Sequence, residues 1–328
     1  MPDILILYLI SSFIILFVSG KVSYQVNLVD LPSKRKIHLK ATAYTGGIII
    51  SLIYLFSLKI FNLNIKEINM IISVSFLISI VGLIDDKYHL NAGGKLSLQI
   101  ISVLYLIAFE NLYLIHIGDY NYFKLELGTF SIPFTLLCVL YLINSFNYFD
   151  GIDGTLSFTF TSVILILFFL IPDKNIRIYL IIFLIPVVIF LLFNFSFLKL
   201  PKLFLGDSGS LLLGFIISFL LIFTSNENII HPILLAWSVV IFVYEFLSIN
   251  IIRLTNKKGL FQPGRDHLHY ILFKKSKSIF LTNFIIFFSN ILLFSIGYSI
   301  YLFINALASL ILFIFMFMIY FYIRNKFS

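Results

Sequence analysis

The sequence is constrained most by long stretches of apolar residues, which recur along its whole length. Each stretch runs for about 17 to 22 residues, the length that an α-helix needs to cross some 30 Å of hydrocarbon, whereas the strands of a membrane barrel would alternate over about ten residues. Only 12% of the residues are charged, against about 25% in soluble domains. The pattern predicts an all-α polytopic membrane protein and excludes a water-soluble globule.

About eleven transmembrane helices are predicted, within a single integral membrane domain that covers residues 1–328. The first stretch has no basic residue before it and no small-residue cleavage site after it, so we expect a true span or an uncleaved anchor. The longest connection, residues 111–131, alternates in a way that predicts a short hairpin. The predicted spans are residues 4–20, 46–61, 68–84, 95–110, 132–149, 155–171, 178–197, 208–224, 232–252, 279–300 and 304–323.

The basic residues predict the orientation of these spans. Of the 23 Lys and Arg residues, eighteen fall in one set of connections and five in the other. Because basic residues concentrate in cytoplasmic loops, the N-terminus is expected outside and the C-terminus in the cytoplasm. The net charge of +8 is then a topology signal and an attraction to anionic lipid headgroups, with no indication of nucleic-acid binding.

Several acidic residues lie in the predicted cytoplasmic connections, and one adjacent pair is unusual. Asp85 and Asp86 end the third span, where they repel each other and face the negative end of the helix dipole. A cation should therefore lie nearby, which favours a role with a metal or a phosphate over a solvated pair. Lys95 opens the next span and could reach a phosphate, although an ordinary basic flank is an equal alternative.

A second polar segment closes the fifth span. Asn144 and Asn147 are three residues apart, so they share a helical face that points toward Asp150 and Asp153. Amides at membrane depth are costly without partners. We expect a ligand-binding turn here, with a purely structural turn as the alternative.

Three further segments carry candidate residues. Asp207 lies in a GDSG sequence that has no protease context in a helical membrane chain, and Asp207 or Ser208 could simply cap the eighth span. The loop before the tenth span contains Arg265, His267 and His269, a set that suits phosphate oxygens better than zinc, with a solvated loop facing the headgroups as the alternative. The loop after the first span contains Arg35 and His38, for which a contact with headgroups and a contact with substrate are equal alternatives.

Taken together, the motifs resemble a known family. From Asp30 to Tyr270 the order DxPxxRKxH, GG, DDK, NxxNxxDGIDG, GDSGS and RxHxH resembles the polyprenyl-phosphate N-acetylhexosamine-1-phosphate transferases, glycosyltransferase family 4. The chain looks most like the bacterial undecaprenyl-phosphate N-acetylglucosamine-1-phosphate transferases. The peptidoglycan phospho-N-acetylmuramoyl-pentapeptide transferase is the alternative within the family, and a transporter of an anionic solute is the alternative from another class.

The resemblance implies a reaction and its participants. A UDP-N-acetylhexosamine would give its sugar 1-phosphate to undecaprenyl phosphate, releasing UMP and starting a lipid-linked cell-surface glycan such as O-antigen, capsule or teichoic acid. The implied cofactor is Mg²⁺, with Mn²⁺ as an alternative. The implied location is the bacterial inner membrane with a cytoplasmic active site, in a monomer or a homodimer. The site would be built from the loops 21–45, 85–95, 150–155, 198–208 and 253–278.

The resemblance also implies roles for individual residues. Asp207 would be the principal metal ligand, assisted by Asn147 and Asp85. The residues implied in catalysis are Asp85, Asp86, Asp150, Asp153, Asp207 and His267. Those implied in substrate binding are Lys95, Asn144, Asn147, Asp153, Arg265, His267, His269, Arg35 and His38. Three positions depart from the family pattern, Tyr270 in the last loop, the region around Ala43 before the double glycine and Glu245 in the ninth span, and they leave the choice of sugar open.

Overall fold

The computed structural model describes residues 2–32, 40–257, 259, 264 and 266–326. This part of the chain is predominantly helical, as the apolar pattern predicts. The elements are α1 (Pro2–Gln25), β1 (Val29–Asp30), β2 (Thr42–Ala43), α2 (Gly46–Phe61), α3 (Lys66–Tyr88), α4 (Ala92–Glu110), β3 (His116–Asp119), β4 (Lys124–Glu126), α5 (Ser131–Phe149), α6 (Thr155–Leu170), α7 (Lys174–Asn194), α8 (Gly206–Asn226), α9 (Pro232–Ser238), α10 (Val240–Thr255), α11 (Leu268–Ser276), α12 (Ile279–Phe303) and α13 (Ala306–Lys326).

The helices are those of a multi-pass membrane protein. Within the described residues, eight helices are long and apolar enough to cross a membrane, and α9 with α10 adds a ninth if that bent pair is one span. The shorter apolar helices α2 and α6 match the other two predicted stretches. The count of eleven crossings and their orientation stay predictions.

The chain divides into two compact units. The first contains Met1–Asn111 and Asp173–Phe219, and the second contains Leu112–Pro172 and Leu220–Ser328. Helix α8 is the most enclosed candidate span, with 94% of its apolar window buried, whereas the window of α13 is 11% buried. The apolar side chains that α13 leaves exposed, such as Ile311 and Phe315, suit contact with lipid.

In the first unit, glycines let α8 approach two neighbouring helices. A Cβ atom on Gly47 of α2 would lie 1.9 Å from the Gly209 nitrogen, and one on Gly82 of α3 would lie 2.3 Å from the Ser208 nitrogen. The connections also pair: β1 and β2 are antiparallel, and the Phe204 amide donates to the Ala43 carbonyl at 2.8 Å. The loops before α2 and before α8 are therefore joined beside the first turn of α8.

In the second unit, the predicted hairpin is confirmed, because β3 and β4 pair antiparallel. The span predicted over residues 232–252 is broken, since α9 and α10 are bent by 73°. Backbone groups freed by such a break need partners where water is absent. Asn290 of α12 is the partner of two such groups: it accepts from the Ile241 amide at 3.3 Å and donates to the Ser238 carbonyl at 3.1 Å.

Candidate active site

In the first unit, a lysine and two carboxylates converge, and we name them the carboxylate–lysine cluster: Asp85, Lys95 and Asp207. The Lys95 Nζ lies 2.8 Å from Asp85 Oδ2 and also contacts Asp207 Oδ2. The Lys95 and Asp85 side chains are 16% and 11% exposed, and that of Asp207 is 30% exposed. The expected cation beside the acidic pair is thus Lys95, and Asp207 is the most accessible member of the cluster.

Local sequence explains why these three side chains meet. Asp85 lies in the last turn of α3, where its Oδ1 accepts from the Leu90 amide at 2.9 Å and steadies the tight connection to α4. Asn91 caps α4 by accepting from the Gly94 amide at 2.7 Å, which places Lys95 in the first turn. Asp207 lies in the first turn of α8.

The second member of the acidic pair has a different environment. Asp86 accepts from the Asp207 amide at 3.1 Å and from the Ser208 amide at 3.4 Å. It thereby binds the positive N-terminal end of α8, which favours an anion. The alternative that Asp207 or Ser208 caps this helix is wrong, because α8 begins earlier, at Gly206, and the carboxylate that meets its amides comes from α3.

Gly206 is required at that junction. Its φ of +72° is a left-handed conformation, and a Cβ there would lie 2.5 Å from the Tyr44 carbonyl oxygen and 2.6 Å from Asp86 Oδ2. A side chain would therefore be strained by both the backbone and the contacts. The glycine of the GDSG sequence keeps Asp86 close to the amides of α8.

The donor set of the cluster suits a hard cation. Two carboxylate oxygens, from Asp85 and Asp207, already converge on the Lys95 ammonium. Among the described residues no three His, Cys, Asp or Glu side chains converge to hold a metal ion. Mg²⁺ does not require three, because it commonly binds one or two carboxylates, several waters and the phosphates of a substrate.

The second unit contains the amide and aspartate residues after α5. Asn144 donates to the Leu140 carbonyl at 2.7 Å, one turn back along its own helix. Asp150 follows the last residue of α5, and its amide donates to the Asn147 carbonyl at 3.3 Å. The Asp153 carbonyl accepts from Asn283 of α12 at 2.8 Å. The predicted turn is thus fixed by hydrogen bonds on both sides.

The same unit places the two predicted histidines together at the start of α11. The His267 and His269 rings are stacked, with centroids 5.6 Å apart and planes 4° apart. Tyr148 packs its ring edge-on against His267, with the centroids 4.8 Å apart. A Cβ on Gly151 would lie 2.1 Å from His269 Nε2. Gly151 therefore leaves room for the second imidazole beside the turn after α5.

These imidazoles are enclosed and uncharged. Burial is the main reason that the pKa of His267 falls to about 4, and the nearby charge of Arg253 lowers it further. Burial also lowers the pKa of His269 well below its ordinary value. Within the described part of the chain, His267 Nδ1 and His269 Nε2 have no hydrogen-bond partner. Each ring therefore has one buried nitrogen whose hydrogen-bonding capacity is unused among the described residues.

An acidic neighbour of the histidines is held ionised. Burial alone would raise the pKa of Asp266, but the Arg253 guanidinium donates to both carboxylate oxygens, at 3.1 and 2.9 Å, and brings the pKa below its ordinary value. The Arg253–Asp266 pair was not among the predicted contacts. The basic residue just past the end of an apolar span was the available signal.

Of the predicted site residues, the first unit brings Asp85, Asp86, Lys95 and Asp207 together, and the second contains Asn144, Asn147, Asp150, Asp153, His267 and His269. Arg35, His38 and Arg265 lie outside the described residues. The roles assigned to all of these residues stay predictions.

The sequence matches the profile of "Glycosyl transferase family 4" over residues 68–225, a range that includes the carboxylate–lysine cluster. It is 28% identical over 277 residues to an undecaprenyl-phosphate alpha-N-acetylglucosaminyl 1-phosphate transferase of Yersinia pestis, covering 82% of this chain and 76% of the relative.

Two further relatives are similar over a comparable length. The enzyme of the same name from Escherichia coli K12 is 27% identical over 280 residues, covering 83% of this chain and 76% of the relative. A probable undecaprenyl-phosphate N-acetylglucosaminyl 1-phosphate transferase of Bacillus subtilis is 29% identical over 286 residues, covering 83% and 78%. The family profile, the extent of these matches and the motif order agree, and each shows that the chain is similar to members of glycosyl transferase family 4.

Proposed function

We propose that this protein transfers N-acetylhexosamine 1-phosphate from a UDP-sugar to undecaprenyl phosphate, at the cytoplasmic face of a bacterial inner membrane. The observation that carries the proposal is the convergence of Asp85 and Asp207 on Lys95 inside the segment that matches the family. The relatives' names supply the lipid acceptor and the sugar phosphate. These names favour neither the peptidoglycan transferase nor a transporter.

The proposed reaction is a single in-line displacement. An oxygen of the lipid phosphate forms a bond to the phosphorus that bears the sugar, and the bond from that phosphorus to the bridging oxygen breaks, with UMP as the leaving group. A phosphate monoester, with a second pKa near 6, is already largely ionised at neutral pH, so a general base has little to remove. Positioning and charge neutralisation are then the main requirements.

The cluster meets those requirements with its own side chains. Asp85 and Asp207 are the carboxylates that would hold Mg²⁺, which when bound neutralises charge on the phosphate oxygens. Lys95 supplies a fixed ammonium for the diphosphate. Asp86 keeps its carboxylate on the amides of α8 and so holds Asp207 in place. In the second unit, the free nitrogen atoms of His267 and His269 suit hydrogen bonds to phosphate oxygens.

The test is exchange of radiolabelled UMP into UDP-N-acetylglucosamine by membranes that contain the protein, undecaprenyl phosphate and Mg²⁺. We expect exchange that EDTA abolishes and that Mg²⁺ or Mn²⁺ restores. A panel with UDP-N-acetylgalactosamine and other UDP-N-acetylhexosamines identifies the sugar. Absence of exchange with every donor would refute the proposal.

The matched variants are Asp207→Asn and Asp119→Asn. Both remove one carboxylate charge, but Asp119 is exposed on the β3–β4 hairpin. Asp207→Asn should lose exchange by a factor of about a hundred or more, as expected for a group that stabilises charge in the transition state, while Asp119→Asn stays near the wild-type rate. Equal rates for the two variants would remove Asp207 from the site. Retained configuration at a chiral phosphorus would contradict a single displacement.

A further inference from the structure

The second unit contains a buried ion pair for which the proposed reaction has no direct use. Glu245 of α10 and Arg324 of α13 are 1% and 3% exposed. Arg324 Nε donates to Glu245 Oε2 at 3.0 Å, and its Nη2 donates to Oε1 at 3.2 Å. The Tyr320 hydroxyl adds a third donor to the same carboxylate, at 2.8 Å. We name Glu245, Tyr320 and Arg324 the C-terminal clasp.

The clasp holds the backbone on both sides of His267. Glu245 Oε1 accepts from the Leu268 amide at 2.8 Å, and Arg324 Nη2 donates to the Asp266 carbonyl. The Asp266 side chain is fixed separately by Arg253. The residues immediately before and after His267 are therefore tied to a charge pair that joins two helices.

Net stabilisation of the fold explains this pair poorly. Burial of two charges costs several kcal/mol of desolvation each, so a buried ion pair adds little stability over apolar side chains of similar size. Outside the clasp, α13 presents mainly apolar side chains, and within the described part of the helix Arg324 is buried along with only Ala306 and Ser309. A device for placing another group explains the pair better than stability does.

We propose that the C-terminal clasp positions His267, and with it the stacked His269, for the phosphate oxygens of the substrate, so that Glu245 and Arg324 are positioning residues for the transfer. This inference rests on the proposed function for its chemistry. Its geometry can be tested without activity, because loss of the clasp must free the backbone around His267.

The first experiment measures hydrogen exchange by mass spectrometry in purified full-length protein, with Arg324→Ala, Arg324→Lys and Lys326→Ala as variants. Arg324→Lys keeps a charge beside Glu245 and so preserves folding, but a single ammonium cannot reproduce the three guanidinium contacts. Lys326 is exposed on the same last turn and is the matched control. We expect both Arg324 variants to speed exchange in the peptide around residues 266–270 at least tenfold, and Lys326→Ala to leave it unchanged.

The second experiment is a double-mutant cycle on kcat/KM with UDP-N-acetylglucosamine and undecaprenyl phosphate. A misplacement of about 1 Å can cost a factor of about a hundred, so Arg324→Ala and His267→Ala should each lose about that much. Because the clasp acts through His267, the double variant should be no slower than His267→Ala alone. A loss of kcat/KM in the double variant that equals the product of the two single losses would overturn the proposal.

The two experiments separate the possible failures. Wild-type protein that shows no UMP exchange refutes the proposed function, and hydrogen exchange still decides the clasp. Unchanged exchange around His267 in both Arg324 variants refutes the clasp, whatever the activity.

Discussion

Replacement of Lys95 by methionine tests whether the carboxylate–lysine cluster is an electrostatic unit. At 2.8 Å from Asp85 Oδ2, the Lys95 ammonium attracts that carboxylate by about 6 kcal/mol at an effective dielectric constant of about 20. Desolvation offsets part of this attraction. Removal of one partner of a buried pair still costs about 3–5 kcal/mol, because a charge is left without compensation.

The change should appear as a lower thermal midpoint. One kcal/mol shifts the midpoint by about 2–4 °C in a cooperative unit of about 150–250 residues, so Lys95→Met is expected to lower it by roughly 6–20 °C. Far-ultraviolet circular dichroism, recorded during heating in detergent, reports the loss of helix in both compact units.

Lys87→Met is the matched control. Lys87 is exposed and lies two residues after Asp85, so the same loss of charge should shift the midpoint by about 2 °C or less, as for most surface substitutions. Mg²⁺ should raise the midpoint of Lys95→Met, because a divalent cation can take the place of the ammonium between the two carboxylates. Equal midpoints for the two variants without Mg²⁺ would refute the reasoning.

Three further predictions concern stability. Since the pKa of His267 is about 4 in the folded protein and near 6.5 when unfolded, the unfolded chain binds more protons between these values, so stability should fall as the pH drops from about 6.5 toward 4. Thermal midpoints across that range check this, and His267→Gln should flatten the curve. Asp86→Ala should lose about 0.5–2 kcal/mol by uncapping α8, whereas Asp86→Asn, which keeps an acceptor, should lose less; equal losses in chemical unfolding would contradict the cap. Asn290→Leu leaves the Ser238 carbonyl and the Ile241 amide without their partner, so it should cost about 1–3 kcal/mol or more, while Asn175→Leu, at an exposed position in α7 and measured alongside it, should change stability little.

Much of the fold could be predicted because lipid imposes simple requirements. Long apolar runs must form helices that satisfy their own backbone groups, and the observed helices coincide with the predicted stretches to within a few residues. The exception is the bend at Val239. It is stabilised by Asn290 of the distant helix α12, and no residue near Val239 in the sequence predicts it. Helix α11 was likewise not predicted, since its nine residues are too short for a clear amphipathic period.

The candidate site was only partly predictable for a related reason. The adjacent acids at the end of α3 required a cation, and that requirement alone pointed to a partner such as Lys95. That Asp86 binds the amides of α8 depends on residues 121 and 122 positions away, a distance over which sequence spacing carries no information.

Composition and local pattern therefore determined the membrane class, the helices and the residue types available for chemistry, because these follow from solvation and from neighbours along the chain. Only the tertiary structure decided which acidic side chain pairs with which basic side chain. Lys95 joins Asp85 and Asp207, and Arg324, near the end of the chain, joins Glu245. The physical reason is that a buried charge must find its counter-charge in space, and the fold sets that distance.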